Sequence, residues 1–132
     1  MKQKLFDLTD KVAVITGGNG GIGKGMAEGL ADAGCNIVIA ARNLAKSADA
    51  AREIEQAYGV KTLCVELDVT DPESIKAMPG KVMQEFGRLD ILVNNAGINV
   101  RKLPQDFSVE EWDSIQTTNL RSVFLCSQAV HP

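Results

Sequence analysis

The sequence predicts an α/β fold: a doubly wound parallel sheet with helices on both faces and, for the part present, strand order 3-2-1-4. Three observations lead there. Apolar runs such as Val12-Ala13-Val14-Ile15 have strand length without alternation, as strands buried on both faces require. These runs alternate with segments of helical spacing, and strands separated by helices pair in parallel through right-handed crossovers. Six glycines lie from Gly17 to Gly25, just after the first run, a concentration whose backbone entropy a plain turn would not need.

At 132 residues the chain suffices for one small domain with its own core, and residues 1–132 are read as one. A formal net charge of −3 with scattered Lys and Arg gives no basic field for nucleic acid or an anionic membrane. No apolar run approaches the roughly 20 residues that cross a bilayer. The opening Met-Lys-Gln-Lys-Leu-Phe-Asp has no apolar leader core, so a cytoplasmic protein is expected. Cys35, Cys64 and Cys126 show no C-x-x-C pairing and read as small core residues. His131 is the only histidine, which leaves little for a Ser-His-Asp arrangement or a histidine-rich metal site.

The first strand, Val12 to Ile15, runs into the glycines, and helical spacing resumes with Ile22, Met26, Leu30 and Ala33. Such a turn sets the free N–H groups of a helix start beside the strand's carboxyl end, where a pyrophosphate fits. Two registers are open: Gly18, Gly20 and Gly23 match G-x-G-x-x-G, while Gly17, Gly21 and Gly23 match Thr-Gly-x-x-x-Gly-Ile-Gly. Cys35 to Ala40 is the second strand, followed by a helix over Leu44, Ala48, Ala51, Ile54 and Tyr58 that Gly59 stops. Lys61 to Leu67 is the third, and its alternation of Leu63, Val65 and Leu67 suits an outer position.

Asp71-Pro72 opens the next helix as N-cap and first residue. Its stripe is Ile75, Met78, Val82 and Phe86. Pro79-Gly80 interrupts it at a cost of about 3 and about 1 kcal/mol, which predicts a kink or two short helices. The fourth strand, Asp90 to Val93, ends in Asn94-Asn95-Ala96-Gly97. Ser108-Val109-Glu110-Glu111 has capping-box form and opens a long helix. Trp112, Ile115, Asn119, Val123, Cys126 and Val130 share one face of it, with Asn119 the polar member.

Thr16-Gly17-x-x-x-Gly21-Ile22-Gly23, Asp68-Val69, Asn94-Asn95-Ala96-Gly97 and Asn119, in this order and on these elements, resemble the short-chain dehydrogenase/reductase family over the whole chain. Within the family the sequence looks most like gluconate and other sugar-acid dehydrogenases. The resemblance implies a Rossmann-like sheet in which Gly17, Asn19, Gly21, Ile22 and Gly23 wrap a cofactor diphosphate. Asp68 would bond the adenine amino group with Val69 beside it. Asn95, Ala96 and Gly97 would line the adenosine-ribose side, with Asn94 bracing the central strand. Asn119 would bend its helix and anchor a water of a proton relay.

A free 2′-hydroxyl wants an acidic acceptor at the end of the second strand, about 20 residues after the glycines, and Ala40 and Ala41 stand there. Arg42 follows. In the family such an Arg pairs with the 2′-phosphate, so NADP(H) is favoured over NAD(H). The family's catalytic Ser, Tyr and Lys would lie beyond Pro132, and Tyr58 has Thr62 rather than Lys four places on.

The expectation is thus the cofactor-binding half of an oxidoreductase, truncated before the Tyr-x-x-x-Lys segment, that moves hydride between NADP(H) and a small-molecule alcohol or ketone. The alternative is a noncatalytic nucleotide-binding or interaction module. A methyltransferase-like domain lacks its acidic residue at the end of the second strand. A homo-oligomer is expected, because the fourth strand would leave an apolar edge and Phe124 and Leu125 want cover.

Overall fold

Val12–Thr16 (β1) is buried along its whole length and forms the middle of the sheet. The structure, a computed structural model, describes residues 5–132, and the opening Met-Lys-Gln-Lys lies outside them. After β1 come Gly21–Asp32 (α1), Asn36–Ala41 (β2), Leu44–Tyr58 (α2), Thr62–Glu66 (β3), Pro72–Phe86 (α3) and Ile91–Val93 (β4). A short 3-10 turn, Pro104–Asp106, then leads to Val109–Gln116 (α4), a π turn over Thr117–Arg121 and Ser122–Val130 (α5). The strands pair in parallel in the order β3-β2-β1-β4, as the sequence predicts, with β3 at an edge.

The pleat sorts the side chains into two cores. Val12, Val14, Val38, Ala40 and Val65 face Ile75, Met78 and Val82 of α3 and Cys126 of α5. Ala13, Ile15, Ile37 and Ile39 face Ala27 and Ala31 of α1 and Ala50, Ala51 and Ile54 of α2. Helices therefore cover both faces of the sheet. Cys35 and Cys126 are buried and Cys64 half-buried, all three as free thiols. Burial pushes the Cys35 thiol up to about 11, which keeps it neutral in the core.

Four details depart from the sequence reading. Of the two alternatives for the third helix, the split into two is not realised: α3 runs through Pro79-Gly80 as one helix. Ile75, Met78 and Val82 are fully buried, and at about 1.5–3 kcal/mol each their burial outweighs the local penalty. In α1 the inward face is Gly23, Ala27 and Ala31, whereas Ile22 is 75% exposed. The helix start lies too close to the β1 turn for anything larger: a Cβ on Gly23 would sit 2.4 Å from the Gly17 carbonyl oxygen. The stripe of α2 likewise turns to Ser47, Ala50, Ala51 and Ile54, leaving Ala48 outside.

The long last helix is the fourth case. Its π turn closes i→i+5 bonds and shifts the phase of the stripe, so Thr118, Ser122 and Cys126 face inward. Trp112 is 59% exposed and Asn119 is exposed too.

Candidate functional site

The glycine turn resolves the choice of register through its backbone. Gly17 (φ 67°) and Gly21 (φ 55°) are left-handed, a region closed to most side chains, while Gly18 and Gly20 are not among the positive-φ residues. Gly17 and Gly21, which belong to the Thr-Gly-x-x-x-Gly-Ile-Gly register alone, are thus the constrained pair, and Gly23 is common to both registers. The Gly17 N–H donates to the Ala40 carbonyl at 2.8 Å, which binds the turn to β2. On the other side, the Thr16 hydroxyl accepts the N–H groups of Asn95 and Ala96, each at 3.0 Å. Asn95 Nδ2 reaches back to the carbonyls of Thr16 (3.1 Å) and Gly17 (3.2 Å). The ends of β1 and β4 are thereby clasped to each other.

What the turn leaves open is the start of α1. Its N-cap, Gly20, has no side-chain capping bond, and the first turn carries no acidic residue. The other helices that begin from a loop are capped by their own side chains: Asn43 on α2, Asp71 on α3 and Ser108 on α4, the last with a full capping box to Glu111. A helix start has orphan N–H groups and the positive end of its dipole. In α1 nothing within the chain's own caps satisfies them.

Beside this turn, at the carboxyl ends of β1, β2 and β3, lies a cleft of about 1040 Å³. Of the residues predicted for a site, Gly17, Asn19, Arg42, Asp68, Val69, Ala96 and Gly97 border it. Gly21, Ile22 and Gly23 form the first turn of α1 and are not among the residues that border the cleft. Asn95 is absorbed in the clasp, and Asn119 also stands back from the cleft. Asn119 Oδ1 accepts the Ile98 N–H and its Nδ2 donates to the Ile98 carbonyl, both at 2.8 Å, so it fixes a loop residue that does border the cleft. Its helix widens into the π turn there. Asn94 donates to Ser127 Oγ at 3.2 Å, tying the end of β4 to α5, and its buried Oδ1 has no partner.

The sequence reading missed Asn43, Lys46, Ser114 and Thr118, which also line the cleft. Asn43 and Lys46 carried a usable signal, an N-cap residue with a Lys three places on directly after the second strand. Ser114 and Thr118 did not: Ser114 lies off the apolar stripe of α4, and Thr118 faces inward only through the π turn.

Electrically the cleft sets Arg42 and Lys46 against one carboxylate, Asp68. The Thr70 hydroxyl (2.6 Å) and Thr70 N–H (2.9 Å) both donate to Asp68 Oδ1. With the nearby Arg42 charge they hold Asp68 below its usual range, so it is ionised at neutral pH.

The short chain dehydrogenase family model matches residues 11–132. The chain belongs to that family. Among its relatives, the 2-dehydro-3-deoxy-D-gluconate 5-dehydrogenase of Dickeya dadantii is 42% identical over 125 residues, 95% of this chain and 48% of that protein. Gluconate 5-dehydrogenase of Gluconobacter oxydans is 39% identical, over 96% of this chain and 49% of its own length. The chain spans about half the length of the curated relatives it matches. Among solved structures, L-sorbose reductase from Gluconobacter frateurii, determined with NADPH and L-sorbose, superposes with a TM-score of 0.87 at 35% identity, over 94% of this chain and 47% of that one.

This short chain dehydrogenase segment therefore has the Rossmann sheet of its relatives, with the glycine turn at the carboxyl end of the central strand, where open α/β sheets hold their ligands. Its one tyrosine, Tyr58, is the last residue of α2. Among the described residues no helix is long and apolar enough to cross a membrane.

Proposed function

We propose that this chain binds a nicotinamide dinucleotide, NADP(H) in preference to NAD(H), and is the cofactor-binding half of an enzyme that interconverts an alcohol and a ketone. The observation that carries the reading is the uncapped start of α1 beside a cleft bordered by Arg42. The residues fit such a group: with no side-chain cap on Gly20 and no acidic residue in the first turn, the N–H groups of the α1 start are available to a diphosphate. Asp68 and Val69 would meet the adenine, and Ala96 and Gly97 the ribose side. Arg42 would take the 2′-phosphate in bidentate fashion. When bound, the nicotinamide supplies or accepts a hydride. The chain's own part is to bind and orient, and Asn119 would hold the Ile98 loop against the cofactor.

The names of the relatives support a sugar acid or polyol as the substrate class. The groups that protonate or deprotonate the substrate oxygen, a Tyr with a Lys four residues on and a Ser, are assigned to the half of the relatives that this chain does not span. By itself the chain should bind without turnover. Calorimetric titration tests this: NADPH binds more tightly than NADH, Arg42→Ala removes the preference, and S-adenosylmethionine gives no heat. No heat from either nicotinamide coenzyme would refute the reading, and hydride transfer to a sugar-acid ketone by these 132 residues alone would refute the division of labour.

A second reading, association with another copy of the chain, rests on Val109, Trp112, Leu120 and Phe124, all well exposed along α4, the π turn and α5. Sedimentation velocity of a Trp112→Glu, Phe124→Glu variant against the parent chain reads it: the parent sediments as an oligomer and the variant as a monomer, whereas a monomeric parent ends the idea.

A further inference from the structure

The glycine turn is stitched to the first turn of α2. Asn19 Nδ2 donates to Ser47 Oγ at 3.2 Å, and Ser47 is fully buried. One residue earlier, the backbone N–H of Lys46 donates to the capping oxygen of Asn43 at 3.0 Å. With both neighbours fixed, the Lys46 side chain lies over Gly20. A Cβ built on Gly20 would stand 2.8 Å from Lys46 Nζ and 3.1 Å from Cε. Gly20 has φ −172° and ψ 169°, extended backbone that any residue adopts, so the path of the chain does not call for glycine there. What the missing side chain provides is space for an ammonium group.

Among the described residues that ammonium has no carboxylate partner. Lys24, Arg52, Lys76, Arg88 and Lys102 each pair with a carboxylate. Several described cations lack such a pair, and of these Lys46 and Arg42 are the two that border the cleft. They come from one short stretch, Arg42 to Lys46, with the intervening Asn43 occupied in capping α2. The α1 start already offers backbone N–H groups to a diphosphate. Two cations, one directly after β2 and one in the first turn of α2, suit a different group, a phosphomonoester carrying nearly two charges.

We infer that Lys46 is a second cofactor-specificity residue, whose ammonium joins the Arg42 guanidinium on the 2′-phosphate of NADP(H) and reaches it through the space that Gly20 leaves. The inference deepens the dinucleotide reading and rests on it. Titrations of the chain with NADPH, NADH and 2′,5′-ADP, followed by calorimetry, test it with four proteins: the parent, Lys46→Gln, Lys46→Arg and Gly20→Ala. The α2 cap uses the Lys46 backbone, so both Lys46 variants keep it.

Lys46→Gln should bind NADPH and 2′,5′-ADP about tenfold more weakly with NADH unchanged, as loss of one charge-assisted bond implies. Lys46→Arg should retain the preference. Gly20→Ala, which pushes Nζ aside, should weaken NADPH by about threefold. A Lys46→Gln chain that loses NADPH and NADH equally, or that loses neither, overturns the assignment. So does a parent that binds both coenzymes alike. A parent that binds neither removes the dinucleotide reading itself, whereas a preference that survives in Lys46→Gln removes Lys46 alone.

Discussion

The two ends of the sheet are built on opposite plans. At the amino end the strands are locked to each other by carboxylate and amide oxygens. Asp90 Oδ2 accepts the Val12 N–H at 2.9 Å while Arg88 holds the same carboxylate by two bonds of 2.8 Å. Asn36 Oδ1 accepts the Lys61 N–H at 3.0 Å, and the cavity there is only about 330 Å³. At the carboxyl end the polar clasp of Thr16 and Asn95 holds the strands, but the helix start beyond it carries no side-chain cap and lies beside a cleft of about 1040 Å³. The difference separates two tasks: one end supplies cohesion, so that the other can keep donors unspent for a ligand.

Filling the open end should do the most damage. Gly23→Ala places a Cβ 2.3 Å from Asn95 Nδ2 and 2.4 Å from the Gly17 carbonyl oxygen. Overpacking of this kind should cost about 3 kcal/mol, or about 10 °C in melting temperature for a domain of this size, and abolish NADPH binding. Gly29→Ala, in the same helix with nothing within 4 Å of its Cβ, should instead stabilise by a few tenths to about 1 kcal/mol. Scanning calorimetry of the two variants decides it, and equal melting temperatures would contradict the close-approach account.

Breaking the closed end should be milder and dependent on pH. The Arg88 guanidinium, aided by the Val12 N–H, holds Asp90 down at about 2. A carboxyl depressed in the folded state stabilises fully above its ordinary value, 3.8, and loses that contribution as pH falls toward the folded value. The parent chain should therefore lose about 1 kcal/mol from this site between about pH 4 and pH 2. Asp90→Asn should already be less stable by about 1–2 kcal/mol at neutral pH, lack that acid-limb loss, and bind NADPH normally. Parallel melting temperatures for the two proteins across this range would show that the lock contributes nothing.

The smallest effect sharpens the contrast between capped and uncapped helices. Ser108→Ala removes the cap of α4 and should cost about 1 kcal/mol without changing NADPH affinity, since Ser108 is not among the residues bordering the cleft. Overlapping binding isotherms beside a shifted urea midpoint are the expected result, and a weakened isotherm would mean that α4's start and the cleft are coupled.

How far the sequence carried this picture depends on what sets each feature. Strand order, the edge place of β3, the Asp71 cap and the Ser108 capping box were legible because they follow from periodicity and local side-chain chemistry. The faces of α1 and α2 were not. There, proximity of backbones selects Gly23, Ala27 and Ala31 over Ile22 and Met26, and hydropathy does not record proximity. Pro79 misled for a related reason, since a local penalty was weighed without the burial of its flanking stripe. Within the site, Arg42, Asp68 and Ala96 could be placed by motif, whereas the position of Lys46 over Gly20 depends on the bond between Asn19 and Ser47, 28 residues apart, which its place after an N-cap residue does not record.

The π turn at Thr117–Arg121 also governs which edits the last helix tolerates. Removing a single codon inside it would restore an even α winding and leave the turns downstream, Cys126 among them, on their inward side, whereas the same deletion within α5 would swing everything beyond it by about 100°. Swapping one side chain for another there leaves the winding intact. The stretch thus has room to lose a residue that the regular turns of α5 cannot spare.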